Sequence, residues 1–584
     1  MSALAHLSTA SRIAGGRPLL SDRAGNTILS PVLRRPVGAF RSSIVGLWLA
    51  PLAVYSLAFC VLTYPLILSF PSHFFTDAGD GLQNIWNLWW VRKAIVELHT
   101  TPWRTTFLHH PAGVSLLGHT LNPFNGLLGL LLQPFLSLIA THNLIVVFSF
   151  AVAGLTAFRL ALDVTDSYWG SIVAGYVFTF SEYHFAHAEG HLQLVSLEWI
   201  PLFVLCWLRL IVEPNMRRGL AASLALLLVA LCDYYYLFYC VLAGAVIGAW
   251  HLWGQRAALA DYGRRAWRPL AVFGAASLAT SGTLLASLLR LNAVDPLSGE
   301  HEAPGFSLDA LALFIPGGHW RFASLTKSYF ERLPGSIHES SVYLGLPAVL
   351  LSIYVWRQRA RLRPRYPSIS VWFGLMLFFA AIALGPMLHV AGSVIYEGPM
   401  PYSALEAAFP SLRLSGVPVR MVVMVTLAAS IVVAIGVQTL LDRAVVSMAR
   451  RSLMVGLAGA ILFVDSLPQP IPRFRPAIPE YVTVLSRLPR SGAVLVPLGD
   501  QYLALYYQTI HQLPLADGYV SRLPLSVAQT LNSKYADASA GRYQELLHRY
   551  NVRYVVTRSP VDQTKAEGLT LWYSGGGVKL YFIQ

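Results

Sequence analysis

One stretch of the chain reads Phe74-Phe75-Thr76-Asp77-Ala78-Gly79-Asp80-Gly81-Leu82-Gln83-Asn84-Ile85-Trp86-Asn87-Leu88-Trp89-Trp90, directly after a segment apolar enough to cross a bilayer. Ionised groups so close to lipid are costly and are usually kept for function. Two carboxylates in this position, Asp77 and Asp80, can accept a proton from a hydroxyl or share a divalent cation. The competing reading is that one of them only caps the helix that follows. A second polar group spans 181–191 and holds Glu182, His184, His187, Glu189 and His191. Its histidines stand at i, i+3 and i+7, one face of a helix. Imidazole with carboxylate suits Zn or Mn, whereas Mg prefers oxygen ligands. Against this, the spacing matches no zinc signature, and a polar cap bonded to loop backbone or lipid headgroups explains it equally simply.

Other ionisable residues lie at the ends of apolar runs. Asp233-Tyr234-Tyr235-Tyr236 closes one of them. The tyrosines read as an interfacial aromatic belt or as a surface on which a sugar stacks; the belt leaves Asp233 unexplained. Arg413 and Arg420 sit beside a span, on the side opposite the other basic loops. A guanidinium there is shaped to hold phosphate or to snorkel to headgroups. Glu339 stands at the mouth of a span. The rest of that long loop, with Asp295, Glu300, His301, Glu302, His319, Arg321 and His338, reads mostly as solvated. In the tail, Tyr506, Tyr507, His511, Asp517, Tyr519 and Arg522 either cover a site or pack within their own unit, and the second reading is favoured.

The elements that must position these residues follow from composition. Of 584 residues, 12% are charged and 55% hydrophobic, against about 25% charged in soluble domains. Mean hydropathy is +0.53. A soluble globule cannot hide so much apolar surface, so a soluble enzyme, a disordered chain and a disulfide scaffold are excluded. The net charge of +14 is that of arginine-rich loops fixing topology, not of a nucleic-acid binder. Cys60, Cys206, Cys232 and Cys240 all sit in apolar runs and suggest neither disulfides nor a metal site.

The fold class expected is a polytopic α-helical membrane protein of about 11–13 spans, with a small C-terminal extracytoplasmic α/β domain. Residues 1–43 form a basic cytoplasmic tail and 44–467 the transmembrane domain. Its spans lie near 44–70, 143–161, 168–183, 193–212, 219–233, 235–253, 269–289, 341–356, 369–388, 419–441 and 452–467. The arginine-rich loops place 71–122, 184–192, 290–340 and 389–418 on the outer face. Parity leaves 84–140 open: either 123–140 is re-entrant or 84–100 also spans. The outer domain, 468–584, opens on Pro468, Pro470, Pro472 and Pro476. It carries strand-like runs at 493–497, 553–557 and 578–583 around a polar helix near 525–549.

This layout resembles the GT-C superfamily of membrane glycosyltransferases. The resemblance is carried by Asp77-Ala-Gly-Asp80, Pro111-Ala-Gly-Val, His184…His191-Leu-Gln-Leu and Glu339-Ser-Ser-Val-Tyr343-Leu-Gly. It continues through Pro410…Arg413…Pro418-Val-Arg420 and His511…Asp517-Gly-Tyr519…Arg522. Each motif is short; their order along most of the chain gives the match its weight. It implies a multi-pass protein of the plasma (inner) membrane with a cytoplasmic N-terminus. Such a protein transfers sugar from a polyprenyl-phosphate donor to a glycan, lipid or protein acceptor on the outer face. Asp77 or Asp80 would be base or metal ligand, and Arg413 and Arg420 would hold the donor phosphate. Asp233, Tyr234, Glu339 and Tyr343 would contact substrate. His184, His187, Glu189 and His191 would bind a divalent cation (Mg, Mn or Zn). Membrane lipids are partners and nucleic acid is not. Two other functions compete: a transporter or flippase of lipid-linked glycan, and a non-catalytic envelope-assembly subunit.

Overall fold

The computed structural model describes residues 43–299, 301–414, 416–443, 448–497, 499–558, 560–561 and 568–584. Most of the expected basic tail, 1–42, and Glu300 lie outside them. In hydrocarbon every backbone group must be satisfied within its own segment, which selects helices. Among the described residues six helices are long and apolar enough to cross a membrane: Val45–Leu62, Leu138–Thr165, Leu192–Val212, Tyr234–Gly254, Arg256–Val294 and Pro418–Arg443. Tyr168–Thr179, Met216–Cys232, Leu346–Leu362, Ile369–Ala383 and Met448–Asp465 occupy the other expected span positions. Basic residues gather at one end of the bundle, where Arg209 pairs with Asp163 and Arg365 with Asp442.

The region 84–140 holds no full-length span. Asp80–Arg92 has 13 residues and is buried from Gly81 to Val91. Pro123–Leu132 has 10 residues, which rise about 15 Å, half of a bilayer core. It packs between Asp80–Arg92 and Leu138–Thr165. This geometry fits the re-entrant alternative.

The helix that begins at Val422 is the centre of the bundle. It is buried continuously from Val422 to Gly436 and is packed by Tyr168–Thr179, Ile369–Ala383 and Leu346–Leu362. Small residues let helices approach closely in such a bundle. Gly154 and Gly175 show this, because an added Cβ would meet the Tyr55 ring at 2.6 Å and its hydroxyl at 2.1 Å, respectively.

The tail contains a four-stranded sheet of β1 (Ala493–Leu495), β2 (Val552–Thr557), β3 (Leu569–Gly575) and β4 (Val578–Ile583), in the order β1-β2-β4-β3. β1 and β2 are parallel, and the other pairs are antiparallel. The expected helix over 525–549 is two helices, Leu525–Ser539 and Tyr543–Tyr550, broken where Gly541 takes φ +78°. The tail does not pack as a separate body. Trp86, Trp90, Leu108 and Leu116 of the segment 71–122 share one apolar core with Val494, Leu505, Leu515 and Val556. The proline-rich linker is threaded beside this segment and 290–340: Phe474 bridges to Phe74, and the Gln469 N–H donates to His319 O at 2.7 Å.

Candidate active site

Asp77 is held by the loop around it. Its Oδ1 accepts the backbone N–H groups of Gly79 (3.0 Å) and Gly81 (3.1 Å). Its own N–H donates to Glu189 O at 2.7 Å, which ties the segment 71–122 to 184–192. The capping reading is therefore met by one oxygen. The other faces Gly190, where an added Cβ would stand 3.1 Å from it. Burial pushes the Asp77 carboxyl above its ordinary range, against the pull of the two N–H groups. Asp80, three residues on, goes the other way. Burial opposes its ionisation, but the His191 imidazole, 3.2 Å from Oδ2, and the Tyr502 hydroxyl hold it below the ordinary value. Two neighbouring carboxyls with opposite shifts are suited to different protonation states in one site.

The four residues expected to bind a cation do not converge. The helix Glu182–Ala188 has only seven residues, so the periodic face ends before the chain turns at Gly190. His184 is fully buried, stacked on Phe150 at 3.8 Å, with its nitrogens 2.7 and 2.8 Å from the carbonyl oxygens of Thr179 and Val195. It braces the loop. His187 lies 3.8 Å from Glu339, and His191 pairs with Asp80. Glu189 is joined instead by His319 and His338, 3.4 and 3.8 Å from its Oε2. Both come from the long loop 290–340, which reads mostly as solvated in the sequence. Glu182 draws that loop in, accepting the N–H groups of Gly317 (3.0 Å), His319 (3.1 Å) and Tyr343 (3.3 Å).

Glu339 and Arg420 form a buried bidentate pair, with Nε 3.0 and 3.1 Å from the two carboxylate oxygens and Nη2 2.5 Å from Oε1. Burial opposes ionisation of Glu339, yet the Arg420 charge takes it down to about 2. The guanidinium also lies 5.0 Å from the Tyr235 ring centroid. Arg413 is not part of this group. It sits in the turn Pro410–Leu414, largely exposed, and pairs with Glu406 at 2.8 Å. Tyr343 is turned away as well: its hydroxyl donates to Asp465 (2.9 Å) and accepts from Leu346 N (2.6 Å), bracing the start of Leu346–Leu362. Asp233 caps Tyr234–Gly254, accepting Tyr235 N at 2.6 Å and Tyr236 N at 3.3 Å.

Beside this polar group is a cavity of about 720 Å³. Leu237, Phe238, Phe273, Leu278 and Leu285 make its apolar wall, while His119, Asp233, Tyr234, Tyr235 and Arg522 stand at its polar parts. Tyr235 therefore touches both the cavity and Arg420. The helix segment Arg256–Val294 along the wall is mostly exposed.

The tail closes the other side. Tyr502 and Tyr519 pack ring to ring at 4.6 Å, and the Tyr502 hydroxyl reaches Asp80. Ser521 N donates to His119 Nδ1 at 3.1 Å, and its hydroxyl donates to Gln83 Oε1 at 3.0 Å. Arg522 donates to Leu414 O at 3.0 and 3.2 Å. His511 and Asp517 pack within the tail: His511 accepts Leu513 N, and Asp517 accepts Val496 N and the Tyr535 hydroxyl. Sequence reasoning missed Tyr502, although its spacing of four from Tyr506 puts both on one helix face.

Fold and site define a multi-pass helical membrane protein in which acids, histidines and a buried arginine meet beneath an α/β tail. Residues 29–465 match the family described as Domain of unknown function (DUF6311), and the chain belongs to it. No curated protein sequence matches the chain. Among solved structures it is similar to the arabinofuranosyltransferase AftD from Mycobacteria, at 14% identity and TM-score 0.48, over 91% of this chain and 40% of that one. It is also similar to the Archaeoglobus fulgidus oligosaccharyltransferase, at 12% identity and TM-score 0.44, over 89% and 69%. ArnT from Cupriavidus metallidurans matches at 12% identity and TM-score 0.44, over 92% and 98%. The chain thus spans well under half the length of the AftD structure.

Proposed function

We propose that the chain is a GT-C-type membrane glycosyltransferase that moves a sugar from a polyprenyl-phosphate donor to an acceptor on the outer face of the plasma (inner) membrane. The observation that carries this reading is an apolar cavity of about 720 Å³, a volume that can take isoprenoid chain, whose lining residue Tyr235 meets the buried Arg420 guanidinium; the two carboxyls of opposite shift, Asp77 and Asp80, lie outside its lining. Asp77 takes the proton of an acceptor hydroxyl as that oxygen bonds to the sugar. The sugar–phosphate bond breaks with its electrons leaving on the phosphate. A base with a raised pKa is matched to this task, and positive charge stabilises the leaving phosphate. Arg420 is the buried cation nearest the group and takes that role; Arg413, on the surface, does not. A divalent cation bound beside Glu189 would add to the same charge stabilisation. The N-terminus is cytoplasmic and the tail extracytoplasmic in this reading.

The test is to incubate the protein in lipid with radiolabelled polyprenyl-phosphate sugars, with and without divalent cation and chelator, and to follow release of polyprenyl phosphate. Release that vanishes in Asp77→Asn is expected. A transporter of lipid-linked glycan draws on one observation of its own: Glu198 is a fully buried acid within the span Leu192–Val212, where transporters place ionisable groups. No release from any donor, with binding of lipid-linked glycan retained and lost in Glu198→Gln, would favour that reading.

A further inference from the structure

We infer that Glu189, His319 and His338 form a preorganised three-ligand site for a zinc-like divalent ion. Their ligand atoms all lie within 4.8 Å of one another. Ser341 orients one of them. Its hydroxyl has one proton, and the oxygen lies 2.7 Å from Ile337 O, an obligatory acceptor. His319 Nδ1 lies 2.7 Å from the same hydroxyl oxygen. With the hydroxyl proton given to Ile337, Nδ1 must be the N–H that donates. Neutral His319 then presents a bare lone pair at Nε2, aimed at the Glu189 carboxylate 3.4 Å away. His338 Nδ1, a buried atom without a hydrogen-bond partner, stands 3.8 Å from the same oxygen. The bare His319 nitrogen and the Glu189 carboxylate repel at 3.4 Å unless a cation or a proton lies between them.

The Glu189–His319 separation of 3.4 Å suits a metal, and His338 at 3.8 Å needs a small rotation to join it. Two ligands bound at about 2.0–2.1 Å to a tetrahedral ion stand roughly 3.3 Å apart. The Ser341–His319 bond is the outer-shell contact that fixes ring orientation and tautomer in metal sites. Glu182 holds the His319 backbone at 3.1 Å, so the ring is fixed from two directions. Two imidazoles and one carboxylate select Zn or Mn over the oxygen-seeking Mg. Three protein ligands leave the fourth position of a tetrahedral ion for water or substrate. Asp77, which donates its N–H to the Glu189 backbone at 2.7 Å, is adjacent. The inference deepens the proposed transferase by naming the ion and its ligands, but binding is measurable without any transfer.

The experiment uses the full chain in lipid nanodiscs, stripped with chelator and then equilibrated with Zn²⁺, Mg²⁺ or Co²⁺. Elemental mass spectrometry is expected to find about one Zn per chain and no Mg retained, and Co²⁺ to give the visible absorption of a four-coordinate ion. His319→Ala and His338→Ala should each weaken Zn binding at least 100-fold. Ser341→Ala, which leaves every ligand in place, should weaken it by about 10- to 100-fold. The inference is overturned if no Zn is retained, with a charged His319 ring seen by NMR, because a proton then fills the gap. It is also overturned if the His319→Ala/His338→Ala double variant, eluting as the parent does, keeps its Zn. Zn bound with no release from any donor leaves the site standing and removes the transferase reading.

Discussion

The indole nitrogen of Trp86 donates to Gln508 Oε1 at 2.7 Å, so the segment 71–122 and the tail share a buried hydrogen bond. Gln508 is fully buried, and its Nε2 donates to Phe107 O (2.6 Å) and Leu513 O (3.0 Å). One amide thus satisfies three groups at the seam between segments more than 400 residues apart. Gln508→Leu should strand the Trp86 indole N–H and Leu513 O, at about 1–3 kcal/mol each, while Phe107 O keeps the Leu515 N–H at 2.8 Å. Limited proteolysis of the linker 468–479 should speed up by an order of magnitude or more in that variant. Unchanged cleavage would show that the seam is held elsewhere.

Asp77→Asn keeps an acceptor for the Gly79 and Gly81 N–H groups but cannot take a proton. Expression and melting should match the parent, while polyprenyl phosphate release falls by about 100- to 10,000-fold, the range of a lost general base. Normal release in this variant would remove Asp77 from the base role.

Arg420→Met should leave the Glu339 carboxylate buried without its partner and lower stability by about 3–5 kcal/mol. The double variant Glu339→Gln/Arg420→Met removes both charges and should recover most of the loss in thermal unfolding. Donor binding should stay lost in the double variant, because the phosphate role belongs to the cation. Recovery of binding along with stability would assign Arg420 to structure alone.

Asp517 gives a pH dependence of known sign. Burial takes its carboxyl up to about 6, with the Lys534 ammonium and the Tyr535 hydroxyl pulling against it. A carboxyl raised in the folded state contributes stability that is complete below its ordinary value and is lost as pH rises through about 6. Asp517→Asn removes this titration. The melting temperature of the variant should gain on the parent between about pH 4 and pH 6.5; a constant difference across that window would contradict the raised value.

Helix positions were legible because apolar periodicity decides them: every expected span has a helix. Asp77 and Asp80 were legible because acids beside a span stand out. His319 and His338 were not. They lie in a long loop with little regular structure, and only the reach of Glu182 to its backbone shows that the loop folds inward. Arg413 and Arg420 looked alike in sequence, since both flank one span, yet one faces solvent and the other meets Glu339. β3 escaped notice because Leu571 and Trp572 are half exposed and the strand ends at a run of glycines, which blurs the alternation that marks a half-buried strand.

The bridge between Phe74 and Phe474 and the contact of Tyr502 with Asp80 bear on how the protein is made. A nascent chain ending at residue 467 already carries both acids, all the histidines around Glu189, and Arg420. It lacks the wall that Tyr502, Tyr519 and Ser521 place over them. The site comes into being only when the last hundred or so residues have emerged and folded back onto the first loop. Synthesis order therefore sets when this group of residues is complete.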